Sequence, residues 1–490
     1  MNQRSSASSL YLIFILLIGL VARLIALNQP FWLDEAAQAI ISQNPFEPGH
    51  FNGDFQPPLS YILGHIWIQL GIALGTHAEW FLRLPSVVWG LTSILALYQL
   101  IRHAYSQRAA EIAALLLALA PFHIYYSQEF RMYAMFTALT MMSWLALQKK
   151  NYAWMAIING LSIFTHYFAC VTIISQGIYL IAKERQALNK VIQKHIITLA
   201  PFIFWIPTLR EQLKVSSALI TAWPKWESLS NAGFFKFPGL TLAKFTVGMI
   251  SPEPRLFYIA TVGLFTLILA SSIVYLVVKA RNDVSFRKSL VLLLSMSLLP
   301  LGLVWIAGIW ISAASPWRIQ FALPTLYGLI AVAYSFIYTH APKIRHLASL
   351  ALIMLIIQNG FFSFQYLSNT QKHREDWRSA IAYTDHLVDK KNATVVSEYT
   401  NSFAPMQWYS QKPASYVGGS STLSFSKESV HENIAPYLQQ KKPLVVYSYL
   451  FEISDPQKIL EQTILSSGYS LESEKDFRGV GIIRTYTHKD

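Results

Sequence analysis

The sequence predicts a polytopic α-helical membrane protein of about eleven transmembrane helices, followed by a soluble α/β domain at the C-terminus. Hydrophobic residues make up 53% of the 490 residues and charged residues only 13%. Typical soluble domains carry about 25% charged residues, so this composition excludes a wholly soluble protein. Apolar runs near the length that crosses a bilayer fill the chain as far as residue 369, and the remaining sequence has the composition of a soluble domain.

Eleven apolar runs are candidate transmembrane helices, since a span needs roughly 17 to 25 residues. They are residues 10–28, 84–101, 109–126, 132–148, 152–165, 167–182, 195–210, 255–279, 289–311, 319–339 and 346–367. The formal net charge of +13 lies mostly in short basic clusters between these runs, which is typical of membrane topology and not of a nucleic-acid surface. Placing every cluster in the cytoplasm requires an even number of spans between neighbouring clusters. With a cytoplasmic N-terminus, the C-terminal domain then lies outside.

One more apolar run, residues 59–75, resembles a span, but counting it would place the next basic cluster outside the cytoplasm. The run is short and contains a histidine and a glutamine. We therefore predict a juxtamembrane or re-entrant helix within one long outer loop, residues 28–83. The same parity divides residues 152–182 into two spans and places His166 at the outer surface.

The chain divides into a membrane domain, residues 1–369, and a C-terminal domain, residues 370–490. Short β-branched segments at 393–398 and 443–450 are typical of buried strands, and helical patterns alternate with them. Such alternation predicts a small α/β domain. This domain carries no phosphate-binding loop, zinc-ligand spacing or nucleophile motif, and the single cysteine, Cys170, excludes an internal disulfide.

Two adjacent carboxylates, Asp34 and Glu35, follow the first apolar run within Pro30-Phe31-Trp32-Leu33-Asp34-Glu35. Ionisable groups at a membrane boundary are costly and therefore mark a candidate functional site. The alternative is structural, since acidic residues at the start of a helix interact favourably with its dipole.

Further polar residues come from distant segments that the predicted topology places on the same outer side. They are Asp54, Arg83, Tyr126, Gln128, Glu129, Arg131, Tyr133, His166 and Arg318. Simpler explanations exist for several of them. Arginines at helix ends reach for lipid headgroups, Glu129 and Arg131 could pair on an exposed turn, Asp54 could form a turn, and His166 could serve packing. Their convergence on one side favours a shared site.

Carboxylates beside arginines suit a substrate that has a hydroxyl group to activate and a phosphate to hold. The planar guanidinium fork donates two parallel hydrogen bonds to a phosphate. A lipid-phosphate ligand explains why such a site lies at the bilayer surface. A carboxylate pair can also bind Mg²⁺ or Mn²⁺, but the sequence offers no compelling set of metal ligands, so a cation requirement stays open.

Several motifs in chain order resemble those of the GT-C glycosyltransferases, above all the family-39 type, which includes protein O-mannosyltransferases and lipid A aminoarabinose transferases. These motifs are Trp32-x-Asp34-Glu35, Asp54-x-x-Pro57-Pro58-Leu59, Arg83-Leu84-Pro85 and Ser127-Gln128-Glu129-x-Arg131-Met132-Tyr133. Arg318 with Pro324, and Glu375-Asp376-Trp377-Arg378 before a strand, resemble later features of the same family. The resemblance covers nearly the whole chain.

The resemblance implies a transferase that moves a sugar from a polyprenyl-phosphate donor to an acceptor hydroxyl or amine, with inversion at the anomeric carbon. The acceptor would be a lipid, a glycan or a protein, and the active site and C-terminal domain would lie outside a bacterial cytoplasmic membrane. By the same resemblance Asp34 matches the catalytic base, Glu35 its neighbour, and Glu129 the acid of the second loop, with Arg83 and Arg131 as the basic residues. Gln56 stands where some members have Lys or His, which leaves the sugar and acceptor undefined.

Two other classes of function fit the same features less well. A transporter or flippase of lipid-linked sugars would bind the same ligand without chemistry, but it should place ionisable groups near the bilayer midplane. A membrane-anchored sensor or scaffold would act through the C-terminal domain alone. Loss of a polyprenyl-phosphate sugar on incubation with the protein distinguishes the enzyme from both.

Overall fold

The computed structural model describes residues 2–489 except 224, 228–230, 282 and 313. Helices dominate its first 369 residues, as expected for an integral membrane protein. The α-helices in this part are α1 (Asn2–Leu24), α2 (Leu33–Gln43), α3 (Leu59–Ala73), α4 (Glu79–Ala104), α5 (Gln107–Ala118), α6 (Pro121–Ser127), α7 (Tyr133–Gln148), α8 (Tyr152–Ile163), α9 (Ala169–Lys183), α10 (Leu188–Leu199), α11 (Ile206–Ala222), α12 (Phe237–Val247), α13 (Arg255–Ala280), α14 (Val284–Ala307), α15 (Leu323–His340) and α16 (Arg345–Ser368). Short 3₁₀ helices cover Arg185–Ala187, Ala200–Trp205, Trp317–Ala322 and Thr370–Lys372.

Among the described residues, six helical stretches are long and apolar enough to cross a membrane. They are Glu79–Ala104, Arg185–Ala222, Arg255–Ala280, Phe286–Ala307, Trp317–His340 and Arg345–Ser368. Helices α5 and α6 together make a seventh candidate, bent by 64°. The other four predicted spans fall on the shorter helices α1, α7, α8 and α9. The total of eleven crossings therefore stays a prediction.

Three of the loops between these helices end in a residue whose side chain caps the next helix. The side chains of Ser106, Asn151 and Asp283 each accept a backbone N–H from the first turn of α5, α8 and α14, respectively. Such caps satisfy N–H groups that have no partner within the helix, and each stabilises the helix start by about 1 kcal/mol. These three helix starts are thus set by local sequence.

The bend between α5 and α6 is caused by a proline and stabilised by an arginine from α1. Pro121 at the start of α6 has no N–H to continue the ladder of α5. The carbonyl of Ala118 left at the end of α5 accepts a hydrogen bond from the buried guanidinium of Arg23 at 3.1 Å. This bend directs the segment that follows α6 towards α2.

Helix α3 has 15 residues and so measures about 22 Å, which is shorter than the hydrocarbon core of about 30 Å. It packs against α2, where His65 Nδ1 lies 2.9 Å from the carbonyl oxygen of Ser42. Helices α8 and α9, on which two predicted spans fall, have 12 and 15 residues. Length therefore does not distinguish α3 from a span, and its position relative to the membrane stays a prediction.

The C-terminal region contains a five-stranded sheet in the order β2-β1-β3-β5-β4. Its elements are α17 (Trp377–Lys391), β1 (Thr394–Ser397), α18 (Ala404–Tyr409), β2 (Tyr416–Gly418), α19 (Lys427–Leu438), β3 (Leu444–Tyr447), α20 (Phe451–Ser454), α21 (Ile459–Ser466), β4 (Tyr469–Phe477) and β5 (Gly481–His488). Strand β1 runs parallel to β2 and β3, and β5 runs antiparallel to β3 and β4. The central strands β1 and β3 are buried throughout, as strands covered on both faces require.

The C-terminal region packs directly on the helix that carries the two adjacent acids. Trp408 on α18 lies against Phe31, which precedes α2, with 5.7 Å between the ring centroids. The hydroxyl of Tyr409 accepts the backbone N–H of Phe31 at 2.7 Å. These contacts place the start of α2 between the membrane helices and the sheet region.

Candidate active site

The first turn of α2 carries Asp34 and Glu35 on different faces. Consecutive residues on an α-helix point about 100° apart, so two adjacent side chains cannot face the same neighbours. Glu35 is fully buried, whereas the side chain of Asp34 is 41% exposed. The two carboxylates that look equivalent in the sequence therefore have different environments.

Glu35 is held by a two-pronged ion pair with Arg83 on α4. The Nε of Arg83 donates to Glu35 Oε1 at 2.8 Å and its Nη2 donates to Oε2 at 2.6 Å. The backbone N–H of Phe130 adds a third hydrogen bond to Oε1 at 2.7 Å. Burial acts to raise the pKa of Glu35, but Arg83 and then Arg374 outweigh it and hold the pKa below its ordinary value. Glu35 is thus an ionised carboxylate with its oxygens already occupied.

Arg83 uses its remaining donors on the backbone before α2. Its Nη1 donates to the carbonyls of Leu27 and Gln29 at 2.8 and 2.6 Å, and its Nη2 donates to that of Pro30 at 3.1 Å. These bonds engage every N–H group of the guanidinium. The contacts of Arg83 and Glu35 therefore favour a role in shaping the site over the substrate-binding and catalytic roles predicted for them.

Asp34 lies beside Arg131, which comes from the segment between α6 and α7. Arg131 Nη2 is 3.5 Å from Asp34 Oδ2, and its Nη1 is 3.7 Å from Asp54 Oδ2. Partial burial raises the pKa of Asp34, while the positive charge of Arg131 opposes that rise. The alternative explanation, a pair between Glu129 and Arg131 on an exposed turn, does not hold. Arg131 instead contacts two carboxylates of the loop that contains α2.

Glu129 is buried behind the first turn of α2. Its Oε1 accepts the indole N–H of Trp32 at 3.0 Å and lies 3.8 Å from Arg374 Nη1. Burial raises the pKa of Glu129 to about 7, against the opposing charge of Arg374. Because this carboxylate is fully buried, a bulky acceptor reaches Asp34 more directly than Glu129.

His166 lies on the same side as Arg131, between α8 and α9. Its ring stacks on Phe136 with centroids 4.9 Å apart, and its Nδ1 accepts the backbone N–H of Phe168 at 3.1 Å. That bond puts the ring proton on Nε2. Burial, followed by the charges of Arg318 and Arg131, lowers the pKa of His166 to about 3, so the ring is a neutral donor at physiological pH.

The other predicted site residues divide into two groups. Tyr133 lies between His166 and Tyr126, with ring centroids 5.9 and 5.0 Å away, respectively. Arg318 lies near enough to lower the pKa of both Asp34 and His166. Gln128 instead donates to the carbonyl of Ile25 at 2.6 Å, just beyond α1. The structure thus brings six of the predicted site residues close together: Asp34, Asp54, Arg131, Tyr133, His166 and Arg318. Gln128 instead joins the end of α6 to the backbone that follows α1.

Two residues that motif reasoning did not assign to the site come from the start of the C-terminal region. Arg374 lies 3.8 Å from both Glu35 Oε2 and Glu129 Oε1. Glu375 Oε2 accepts the backbone N–H of Leu33, the first residue of α2, at 3.4 Å. The signal available in the sequence was the charge density of Arg374-Glu375-Asp376 immediately after the last apolar run.

The carboxylates of the cleft are not arranged to bind a divalent cation. In the part of the chain that the structure describes, no group of three or more His, Cys, Asp or Glu side chains could hold a metal ion. The two carboxylates nearest each other at the open side, Asp34 and Asp54, both face the guanidinium of Arg131. These residues do not form a metal site as arranged.

A separate cavity lies away from this cluster. It measures about 350 Å³ and lies between α8, α9 and α10, where apolar side chains line it together with Gln176 and His195. None of the predicted site residues lines it. The candidate active site is the polar cleft at Asp34 and not this apolar cavity.

A protein family matches part of this chain in sequence, and several solved structures resemble nearly all of it in fold. Residues 57–209 match the family described as dolichyl-phosphate-mannose-protein mannosyltransferase, a range that includes Arg83, Glu129, Arg131 and His166 but not α2. No curated protein matches the chain by sequence.

Three solved structures have the same fold at low identity. The oligosaccharyltransferase of Archaeoglobus fulgidus, in complex with Zn and sulfate, is 16% identical with a TM-score of 0.56, over 94% of this chain and 72% of that one. The oligosaccharyltransferase AglB of the same organism, with an inhibitory peptide and a dolichol-phosphate, is 14% identical with a TM-score of 0.56, over 99% and 75%. ArnT from Cupriavidus metallidurans, bound to undecaprenyl phosphate, is 12% identical with a TM-score of 0.57, over 98% of both chains. The family match over residues 57–209 and the shared fold confirm the resemblance predicted from the motifs: this chain resembles the membrane glycosyltransferases of the GT-C type and has their fold.

Proposed function

We propose that this enzyme transfers a sugar from a polyprenyl-phosphate donor to an acceptor hydroxyl or amine, with inversion at the anomeric carbon. The observation that carries this proposal is the environment of Asp34. The Asp34 side chain is more exposed than those of Glu35 and Glu129, and its Oδ2 lies 3.5 Å from Arg131 Nη2. The structures of ArnT with undecaprenyl phosphate and AglB with a dolichol-phosphate support a lipid-phosphate donor for the shared fold.

Asp34 acts as the general base in this reaction. Its carboxylate takes the proton of the acceptor as the acceptor oxygen or nitrogen bonds to the anomeric carbon. The bond between that carbon and the phosphate oxygen breaks on the opposite face, and the polyprenyl phosphate leaves with the electron pair. A positioned base contributes typically about 10²–10⁴-fold to such a step. The raised pKa of Asp34 makes the carboxylate a better proton acceptor once it is ionised.

The departing phosphate is stabilised by the cationic side of the cleft. Arg318 and Arg131 supply positive charge, and the neutral Nε2–H of His166 supplies a hydrogen-bond donor. Such charge stabilisation in a site with little water is commonly the largest contribution to catalysis. Because the phosphate is an adequate leaving group once its charge is stabilised, no general acid is required.

Arg131 has a second role, which bears on the cation requirement. Its guanidinium lies between the carboxylates of Asp34 and Asp54, where it offsets their mutual repulsion.

The proposal places the reaction outside the cytoplasmic membrane of a bacterium. About eleven crossings and a cytoplasmic N-terminus put α2, the cleft and the C-terminal domain, residues 370–490, on the outer side. There the prenyl chain lies along the apolar helices while the phosphate enters the polar cleft. Lipid, glycan and protein acceptors all fit this arrangement, and the sugar is left open.

The test is direct measurement of donor cleavage. Purified protein in lipid vesicles is incubated with polyprenyl-phosphate sugars, one sugar at a time, and with membrane lipids as acceptors. We expect release of free polyprenyl phosphate and a new glycosylated product from at least one donor, and a loss of both with Asp34→Asn. Movement of intact donor across the vesicle membrane without cleavage would instead identify a transporter.

A further inference from the structure

The two residues that connect the last membrane helix to the C-terminal region reach the acids of the site. Arg374 and Glu375 follow the 3₁₀ turn after α16 and precede α17. The Arg374 side chain is only 1% exposed, although it belongs to a segment between two regions of the chain. A buried arginine in a connecting segment requires specific partners, because an unpaired charge there is costly.

Arg374 bridges the two buried acids. Its guanidinium lies 3.8 Å from both Glu35 Oε2 and Glu129 Oε1, and its Nη2 donates to the carbonyl of Tyr125 at 3.0 Å. The guanidinium also lies 4.0 Å from the centroid of the Tyr125 ring. Glu35 and Glu129 would repel each other across this space, so Arg374 allows both to lie behind the first turn of α2.

Glu375 caps the start of α2 from outside the helix. Helix α2 has no side-chain cap of its own, since Trp32 occupies the capping position. Glu375 Oε2 accepts the N–H of Leu33 at 3.4 Å. A carboxylate at this place satisfies an N–H group that lacks a partner within the helix and interacts favourably with the helix dipole.

The same carboxylate is fixed to the sheet region. Glu375 accepts the indole N–H of Trp377 at 2.6 Å and the hydroxyl of Tyr449 at 2.9 Å. Trp377 in turn stacks on Tyr447 of β3, with ring centroids 5.8 Å apart. A continuous chain of contacts therefore runs from the core of the sheet, through Glu375, to the residue next to Asp34.

We infer that Arg374 and Glu375 are positioning residues that hold the first turn of α2 in place, so that docking of the C-terminal region completes the active site. Neither residue contacts substrate; both act through the backbone and the acids that orient Asp34. A displacement of about 1 Å at a catalytic group can cost roughly 10²-fold in rate. The consequence for turnover rests on the proposed function, whereas the consequence for the order of α2 does not.

The experiment measures the order of α2 and turnover separately. The variants are Arg374→Gln, Arg374→Lys, Glu375→Ala and Glu375→Gln. Hydrogen–deuterium exchange of the amides of residues 33–37 reports on the helix start, and steady-state kinetics with the active donor give kcat and KM. We expect faster exchange at residues 33–37 and a fall in kcat of about 10–10²-fold in Arg374→Gln and Glu375→Ala, with KM for the donor little changed. Glu375→Gln should recover part of kcat, because its amide oxygen can still accept the N–H of Leu33.

The matched control is Arg378→Gln, at the same junction. Arg378 pairs with Glu79 at 2.7 Å and contacts neither Glu35 nor Glu129. It should exchange and turn over like the unaltered protein. Unchanged exchange at residues 33–37 in Glu375→Ala, or an equal loss of kcat in Arg378→Gln, would overturn the inference. Faster exchange in a protein that cleaves no donor would support the positioning role and refute the proposed function.

Discussion

The adjacent acids Asp34 and Glu35 have different contacts and therefore different roles. Glu35 faces inward and is neutralised by Arg83, so its charge stabilises the fold around α2. Asp34 faces the cleft, where its carboxylate makes a longer contact with Arg131. Removing the charge of Asp34 should therefore impair catalysis, whereas removing the charge of Glu35 should lower stability.

Asp34→Asn should lose activity without losing stability. The substitution keeps the shape of the side chain but removes the basic oxygen, so kcat should fall by about 10²–10⁴-fold. Glu35→Gln leaves Arg83 as a buried charge without its partner, and breaking such a pair typically costs about 3–5 kcal/mol. Thermal unfolding of both proteins in detergent, alongside kcat, checks this contrast. A normal melting temperature for Glu35→Gln would contradict the structural role assigned to it.

The pH dependence of kcat/KM should report the ionisation of Asp34. Because burial raises the pKa of Asp34, activity should fall with decreasing pH through an apparent pKa above that of an ordinary aspartate. Arg131 lowers this pKa, so Arg131→Gln should shift the acidic limb to higher pH, whatever its effect on the maximum. Glu129, with a pKa of about 7, titrates nearby. A limb that vanishes in Glu129→Gln would assign the titration to Glu129 instead.

Helix α2 is short, and its position depends on neighbours from three directions. Arg83 on α4 anchors the backbone that enters it, the backbone of Phe130 contacts its buried acid, and Glu375 caps its start. The segment with Phe130 is itself placed by the close approach of α4 to α6. The packing between those two helices should therefore be sensitive to a single methyl group.

Gly90 permits this approach of α4 to α6. A Cβ added at Gly90 would lie 2.7 Å from the Cβ of Ser127, so Gly90→Ala should destabilise the protein by about 1–3 kcal/mol through overpacking. Gly263→Ala on α13 is the control, since nothing lies within 4 Å of its added Cβ. Both changes share the gain in helix propensity. Melting temperatures in one detergent should separate them, and equal values would contradict the close packing.

In the molecule as a whole, the membrane helices and the sheet region contact each other beside Asp34 and Glu35. Tyr409 illustrates the junction, since its hydroxyl donates to Glu79 at 2.7 Å while it accepts the N–H of Phe31. The partners of α2 thus come from both regions. The enzyme can work as proposed only if α2 and the sheet region lie on the same side of the membrane.

That arrangement predicts a pattern of thiol labelling. In a Cys170→Ser background, cysteines at Asn52, His77 and Ser473 should react with a membrane-impermeant reagent from outside, whereas one at Asn189 should not. All four positions are exposed in the structure. Protection of position 77 until the membrane is opened would mean that residues 59–75 cross it, and the even-number argument for the topology would then fail.

The sequence alone determined the features that depend on local pattern. The length of the apolar runs predicted most of the helices, the β-branched segments at 393–398 and 443–450 coincide with β1 and β3, and the ordered motifs predicted the family resemblance. These signals are local because helix and strand formation depend chiefly on the periodicity of neighbouring residues. Members of the polar cluster could be named for the same reason, since each ends or precedes an apolar run.

Only the tertiary structure decided what each polar residue does. Which of Asp34 and Glu35 faces the cleft depends on how α2 rotates against α4, and no local pattern records that rotation. Arg83 was expected at the substrate, yet packing directs all its donors to Glu35 and backbone carbonyls. Glu375 reaches Leu33 across 342 positions of sequence. Contacts at that separation follow from packing of the whole chain, because the energy that selects them is shared among many buried side chains.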